Sequence, residues 1–141
     1  MTLNDANIRD YADSLVAQVR AGDDEMAARL DFSERSVWAL EALIRLSDAR
    51  FADPATPETA KELTVFYAGC YLGETLSRCL SGVWRFDDDN YAQSSLVFPL
   101  GDGGLQVFPF VKLQKRVSDG AAGNDLVDYF EGLQKQLATA R

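Results

Sequence analysis

The longest apolar pattern in the chain predicts a buried central helix from about Pro57 to Leu80. Thr56 suits a cap on its first turn, Pro57 suits its first helical position, and Gly82 follows its end. Apolar residues recur at helical spacing on two sides, and a helix that is apolar all round is typically buried. One side holds Leu63, Phe66, Tyr67, Cys70 and Tyr71, and the other holds Val65, Ala68, Leu72, Leu76, Cys79 and Leu80.

Gly69 and Gly73 interrupt this apolar pattern at a four-residue spacing. Glycine lowers the stability of a helix by up to about 1 kcal/mol relative to alanine. The spacing places both residues on adjoining surface, where we expect another part of the backbone to approach closely.

Helical spacing also marks the segments before the central helix. It predicts a first helix over residues 5–21, a short turn over 23–30, and a second helix from a cap at Asp31 or Ser33 to about Phe51. The buried stripe of the second helix is Val37, Leu40, Leu43, Ile44, Ser47 and Phe51, and its flank carries Trp38, Glu41, Arg45 and Asp48.

After the central helix, the apolar spacing changes from helical to alternating. This change predicts strands over residues 83–86, 95–98 and 105–108, which we expect to form an antiparallel meander. Two further helical patterns, over residues 110–117 and 125–138, complete the chain.

The predicted fold is α+β, with a helical bundle around one long central helix, a three-stranded antiparallel β-meander and two C-terminal helices. We expect a single domain over residues 1–141, with its helical part at about 5–81, its meander at about 83–108 and its last helices at about 109–138. The predicted core includes Leu40, Ile44, Phe66, Cys70, Leu72, Leu76, Trp84, Phe98, Val107, Phe130 and Leu133.

Net charge limits the classes of partner. The chain carries −8 at pH 7, which argues against nucleic acid, because neutralising phosphates requires clustered lysine and arginine. Residues 1–104 hold 9 basic and 18 acidic side chains, whereas residues 105–141 hold 5 and 4. An acidic body would attract a basic partner, or would simply keep the protein in solution.

The sequence shows neither an export signal nor a membrane span, so we expect a cytoplasmic protein. It contains no histidine, which excludes Ser-His-Asp and Cys-His nucleophile systems and histidine-ligated metals. Cys70 and Cys79 lie nine residues apart on one predicted helix, beyond disulfide reach, and are typical of thiols in a reducing compartment. We expect no metal and no cofactor.

Glu74 lies in the middle of one apolar face of the central helix, one turn beyond Cys70. A carboxylate in such a setting suits acid–base chemistry or ligand binding. The structural alternative is an ion pair with Arg78 at i, i+4, or a hydrogen bond to Tyr67 or to the hairpin that follows. Tyr67, Arg78 and Trp84 join Glu74 in the predicted ligand-binding set.

Glu41, on the flank of the second helix, is the second candidate acid. If it faced Glu74, the two carboxylates would form a pair of the kind that acid–base enzymes and glycosidases use. The alternative is an exposed flank with a Glu41–Arg45 ion pair.

Lys112, Lys115 and Arg116 form the one basic cluster in the sequence, on or near the exposed side of a short helix. They are candidates for an interaction surface or for holding an anionic ligand. The alternative is a set of ordinary surface cations near the end of a helix.

Several short motifs carry a resemblance to a family. These are Gly69-Cys70-Tyr71-Leu72-Gly73-Glu74 followed by Gly82-Val83-Trp84, with Leu30-Asp31-Phe32-Ser33-Glu34-Arg35-Ser36 and Leu40-Glu41 upstream and Phe108-Pro109 and Lys115-Arg116 downstream. The pattern resembles small, uncharacterised bacterial domains in which a GxYLGE helix precedes a GxW strand. It covers about residues 30–133 and implies no particular activity.

Three functions remain open. The first is a non-enzymatic protein-interaction module, immunity- or adaptor-like, which predicts an exposed apolar patch around Trp38, Tyr91 or Phe110. The second is a small-ligand-binding domain with Glu74, Glu41 and Tyr67 inside a pocket between helix and sheet. The third is an acid–base enzyme that uses Glu74 with Glu41. The missing catalytic signatures favour the first, with a protein partner or a homodimer.

Overall fold

The computed structural model describes residues 2–100 and 103–139, and residues 1, 101–102 and 140–141 of the predicted domain lie outside the described part. The helices are α1 (Asp5–Arg20), α2 (Asp24–Arg29), α3 (Ser36–Arg45), α4 (Asp48–Ala52), α5 (Glu58–Leu80), α6 (Pro109–Asp119) and α7 (Leu126–Thr139). The strands are β1 (Val83–Arg85), β2 (Ser95–Phe98) and β3 (Leu105–Val107), and a 3₁₀ turn covers Tyr91–Gln93.

The α+β architecture is confirmed, with a long central helix, a small antiparallel sheet and two C-terminal helices. The strands lie in the order β1-β2-β3, as a meander requires. Val83 pairs with Val97, and Leu96 pairs with Val107. The sheet is short, so its stability depends on the helices that pack against it.

Helix α5 is the centre of the fold and packs mainly against α1 and α6. Its glycines admit aromatic rings: a Cβ at Gly69 would lie 2.4 Å from a ring carbon of Phe110, and one at Gly73 would lie 2.2 Å from the indole of Trp84. A close approach at both glycines is present, but the expectation that another backbone makes it is wrong, because aromatic side chains occupy both places. Through these contacts, α6 and β1 pack directly against α5.

The predicted core residues are buried, apart from Val107 on an edge strand, which is half-buried. The prediction that α5 is buried all round is wrong at both ends, because Leu63 near its start is 58% exposed and Cys79 near its end is also exposed. Leu63 lines a cleft that α5 forms with α1, α2 and α3.

The predicted second helix is two helices, and it begins later than expected. Phe32 adopts a left-handed conformation with φ 61°, so α3 starts only at Ser36. The Phe32 amide donates to the hydroxyl of Tyr71 at 3.0 Å, which holds this turn. Helical structure is interrupted again at Ser47, and α4 begins at Asp48. The Asp48 side chain accepts a hydrogen bond from the buried Arg116 of α6.

Candidate functional site

Helix α3 buries a glutamate and exposes a tryptophan, which reverses the usual distribution of these residues. Glu41 is 3% exposed, whereas Trp38 is 59% exposed and Leu46 is 78% exposed. Trp38, Ala42 and Leu46 follow one another at four-residue spacing, and Leu46 keeps helical backbone angles, so the three lie on one side. We call these three exposed residues the outer face of α3.

On its inner side, α3 contributes to a cluster of charged side chains that connects it to α4, α6 and α7. We call Glu41, Arg45, Asp48, Arg116 and Asp125 the ion cluster. The buried guanidinium of Arg116 donates to both oxygens of Glu41, from Nε at 2.9 Å and from Nη2 at 2.8 Å. It also donates to both oxygens of Asp48, at 2.7 and 2.9 Å.

Two further donors complete the coordination of Glu41. Arg45 donates from Nε to Glu41 at 2.7 Å and from Nη2 to Asp125 at 2.6 Å. The backbone amide of Leu126, in the first turn of α7, donates to Glu41 Oε1 at 3.0 Å. Each oxygen of Glu41 thus accepts two hydrogen bonds, which fills its acceptor positions and leaves none for a substrate or ligand.

The titration of the ion cluster follows from these contacts. Burial raises the pKa of Glu41, but hydrogen bonds from Arg116, the Leu126 amide and Arg45 outweigh burial, so the pKa lies below its usual value. For Arg116, the hydrogen bonds from its guanidinium to Glu41 raise the pKa further. Both groups are therefore charged at neutral pH. The ion cluster consists of three carboxylates and two guanidinium groups.

Glu74 lies in a different environment, between α5, α1 and β1. Its Oε1 accepts a hydrogen bond from the indole Nε1 of Trp84 at 3.0 Å. Its Oε2 lies 3.4 Å from Nε of Arg78 and 3.9 Å from Nε of Arg9. The guanidinium of Arg78 also stacks 4.0 Å above the ring of Phe32. Glu74 therefore ties the central helix to the sheet.

The structure brings three of the predicted ligand-binding residues together, namely Glu74, Arg78 and Trp84. Glu41 belongs to the ion cluster, and Tyr67 borders a cleft on another side of α5. Because Glu41 and Glu74 are held by different sets of donors, the contacts give no support to a catalytic pair of the two acids.

Tyr67 borders an open cleft of about 430 Å³ between α1, α2, α3 and α5, which we call the apolar cleft. Its lining is mostly hydrophobic and includes Leu15, Val19, Met26, Leu43, Leu46 and Leu63. The exposed Leu46 belongs both to this cleft and to the outer face of α3. The apolar cleft lies among helices, not between helix and sheet as the ligand-binding hypothesis predicted.

The predicted basic surface needs correction, because Arg116 is fully buried. Its guanidinium is buried because it pairs with two carboxylates, those of Glu41 and Asp48. Lys115 is exposed as expected, and Lys112 is half-buried with its ammonium 5.1 Å from the ring centre of Tyr129. In the sequence, Arg116 follows Leu113 by three residues and so borders the apolar stripe of α6, but this spacing by itself does not indicate burial.

The predicted exposed patch is confirmed for Trp38 alone. Phe110 is fully buried against Gly69, and Tyr91 is half-buried in edge contact with the rings of Phe66 and Phe110. Both rings therefore contribute to packing around α5.

Within residues 2–100 and 103–139, no group of three or more Cys, Asp or Glu side chains is placed to hold a metal ion. In the same part of the chain, no helix combines the length and the apolar character needed to cross a membrane.

Comparison with models of protein families, with curated proteins and with solved structures gave no match to this chain. The resemblance to small bacterial GxYLGE domains therefore stays a prediction.

Proposed function

We propose that this chain is a non-enzymatic protein-interaction module, immunity- or adaptor-like, that binds its partner through the outer face of α3. The observation that carries this proposal is the exposure of Trp38 and Leu46 on one side of a helix. Tryptophan is among the residues that contribute most to binding at protein interfaces. Exposed apolar surface beside a concave cleft is typical of such sites.

The internal contacts of α3 also support this assignment. The fold uses the inner side of α3 through Glu41 and the apolar residues Val37, Leu40 and Ile44, which are all buried. Trp38 and Leu46 contribute little to that packing, because most of their surface remains in water. Their hydrophobic free energy is therefore available to an interface.

We place the protein in a bacterial cytoplasm. The resemblance stated above supports a bacterial source, and the free thiols of Cys70 and Cys79 support a reducing compartment. The net charge of −8 favours a protein partner over nucleic acid.

The experiment that tests the proposal is native mass spectrometry of the protein after gentle purification from its own host. We expect a stoichiometric protein partner with the wild type and its loss from a Trp38→Ser/Leu46→Ser variant. Val83→Ser is the matched control, because Val83 is 65% exposed on β1, outside α3. A partner retained by the double variant, or lost equally from the control, would contradict the proposal. A homodimer that depends on Trp38 and Leu46 would identify a second copy as the partner.

A small apolar ligand in the apolar cleft is the second candidate, supported by the volume of about 430 Å³ and the hydrophobic lining beside Tyr67. It predicts a small mass excess that disappears on denaturation. Thr64→Phe, which places a ring in this cleft, should abolish the excess while the stoichiometric protein partner remains bound.

A further inference from the structure

We propose that the partner presents a basic segment to a second cleft, between α3 and α7, and places an arginine or lysine side chain over the indole of Trp38. This cleft, which we call the acidic cleft, has a volume of about 310 Å³. The inference rests on the proposed function and adds the chemistry of the partner.

The acidic cleft combines the exposed tryptophan with carboxylates. Trp38 and Ala42 line it from α3, and Asp128 and Glu131 line it from α7. Asp128 and Glu131 are three residues apart and therefore lie on the same side of α7. A ligand that contacts the indole of Trp38 is thus close to both carboxylates.

The charges of this cleft are unbalanced. Its lining holds the carboxylates of Glu41, Asp125, Asp128 and Glu131 and the guanidinium of Arg45. With Asp48 and Arg116 of the ion cluster included, five carboxylates stand against two guanidinium groups, which gives a net charge of −3. Arg45 is already bound between Glu41 and Asp125. Among residues 2–100 and 103–139, none of the ion pairs within 4.0 Å involves Asp128 or Glu131. The unpaired negative charge is therefore on the α7 side of the cleft.

Charge complementarity selects the occupant. A partner that covered Trp38 with a neutral apolar surface would remove Asp128 and Glu131 from water without pairing them, which is unfavourable. An arginine or lysine can pair with these carboxylates and stack on the indole, where cation–π attraction adds to the binding. An acidic segment would be repelled.

The test uses an oligoarginine peptide as the probe and the two indole N–H signals of the isotopically labelled protein as the readout. We expect saturable movement of the Trp38 signal. The Trp84 signal serves as an internal reference, because that indole is buried and donates a hydrogen bond to Glu74. An oligoglutamate peptide should move neither signal.

A pair of matched variants separates a local site from bulk attraction. Asp128→Asn/Glu131→Gln should weaken binding of oligoarginine by roughly three- to tenfold, as expected for the loss of two exposed ion pairs. Asp10→Asn/Asp13→Asn, which removes the same charge from exposed positions of α1, should change it by less than about twofold. Equal weakening by both pairs, or a Trp38 signal that does not move, would overturn the inference.

The purified complex distinguishes this inference from the proposed function. If Trp38→Ser/Leu46→Ser loses the partner but Asp128→Asn/Glu131→Gln keeps it at full affinity, the outer face of α3 is the binding surface and a basic occupant of the acidic cleft is wrong. If both variants lose the partner, both proposals are supported.

Discussion

The two sides of helix α3 differ in what the fold requires of them. On the inner side, Glu41 accepts hydrogen bonds from Arg116, Arg45 and the Leu126 amide and connects helices that are far apart in the sequence. On the outer side, Trp38 and Leu46 lie largely in water. Glu41 has a structural role, because its buried charge is bound by donors from other helices. The fold gives no such role to the exposed ring of Trp38, and we therefore assign function to the outer side.

The largest change in stability that this comparison predicts follows from removing Arg116, the central cation of the ion cluster. Arg116→Met should lower the free energy of unfolding by about 3–5 kcal/mol, because Glu41 and Asp48 would lose a buried partner. Urea unfolding monitored by circular dichroism measures this change. Lys115→Met, on the exposed side of the same helix, should unfold like the wild type. An Arg116→Met protein as stable as Lys115→Met would show that the ion cluster contributes nothing.

The next prediction concerns acid. Because the pKa of Glu41 is lower in the folded state than its ordinary value of 4.5, its ionisation stabilises the fold above that value, and the contribution is lost as pH falls through the folded pKa. Glu41→Gln should therefore flatten the decline in stability below about pH 4.5. Glu131→Gln, an exposed glutamate on α7, should leave the decline unchanged. A variant at position 41 that declines as steeply as the wild type would be inconsistent with this account.

The two tryptophans provide a matched pair of smaller effects. Trp84→Phe removes the indole donor of buried Glu74 and should cost about 1–3 kcal/mol of stability. Trp38→Phe changes only an exposed ring and should cost less than about 0.5 kcal/mol. Thermal unfolding of both variants tests the contrast. Equal destabilisation would mean that Trp38 is part of the packed structure.

The smallest effect on stability is expected at Leu46. Leu46→Gln should leave the free energy of unfolding within about 0.5 kcal/mol of the wild type, because Leu46 is 78% exposed. The same variant should weaken partner binding, measured by titration of the purified partner. A variant that binds normally would limit the interaction surface to the Trp38 end of α3.

The sequence predicted those elements whose spacing is local and regular. The central helix and the three strands follow from patterns within a few residues. The close contacts at Gly69 and Gly73 also follow, because glycine inside a long apolar helix indicates a nearby group. The aromatic partners, Phe110 and Trp84, could not be identified from spacing alone.

The ion cluster could not be predicted, because its members come together only in the folded chain. Arg116 reaches Glu41 across 75 positions and Asp48 across 68. An arginine beside a lysine on a short helix is typical of a solvated surface, and only two distant carboxylates make its burial favourable. The separation of α3 from α4 also escaped the sequence pattern, and Asp48 at the start of α4 contacts Arg116.

The most direct test of the central claim is hydroxyl-radical footprinting of the protein in an extract of its own host and after purification. If the outer face of α3 binds a partner, oxidation of Trp38 and Leu46 should be several-fold slower in the extract, while oxidation of exposed Val83 on β1 should be the same in both samples. Equal oxidation of Trp38 in the extract and in the purified protein would contradict the account.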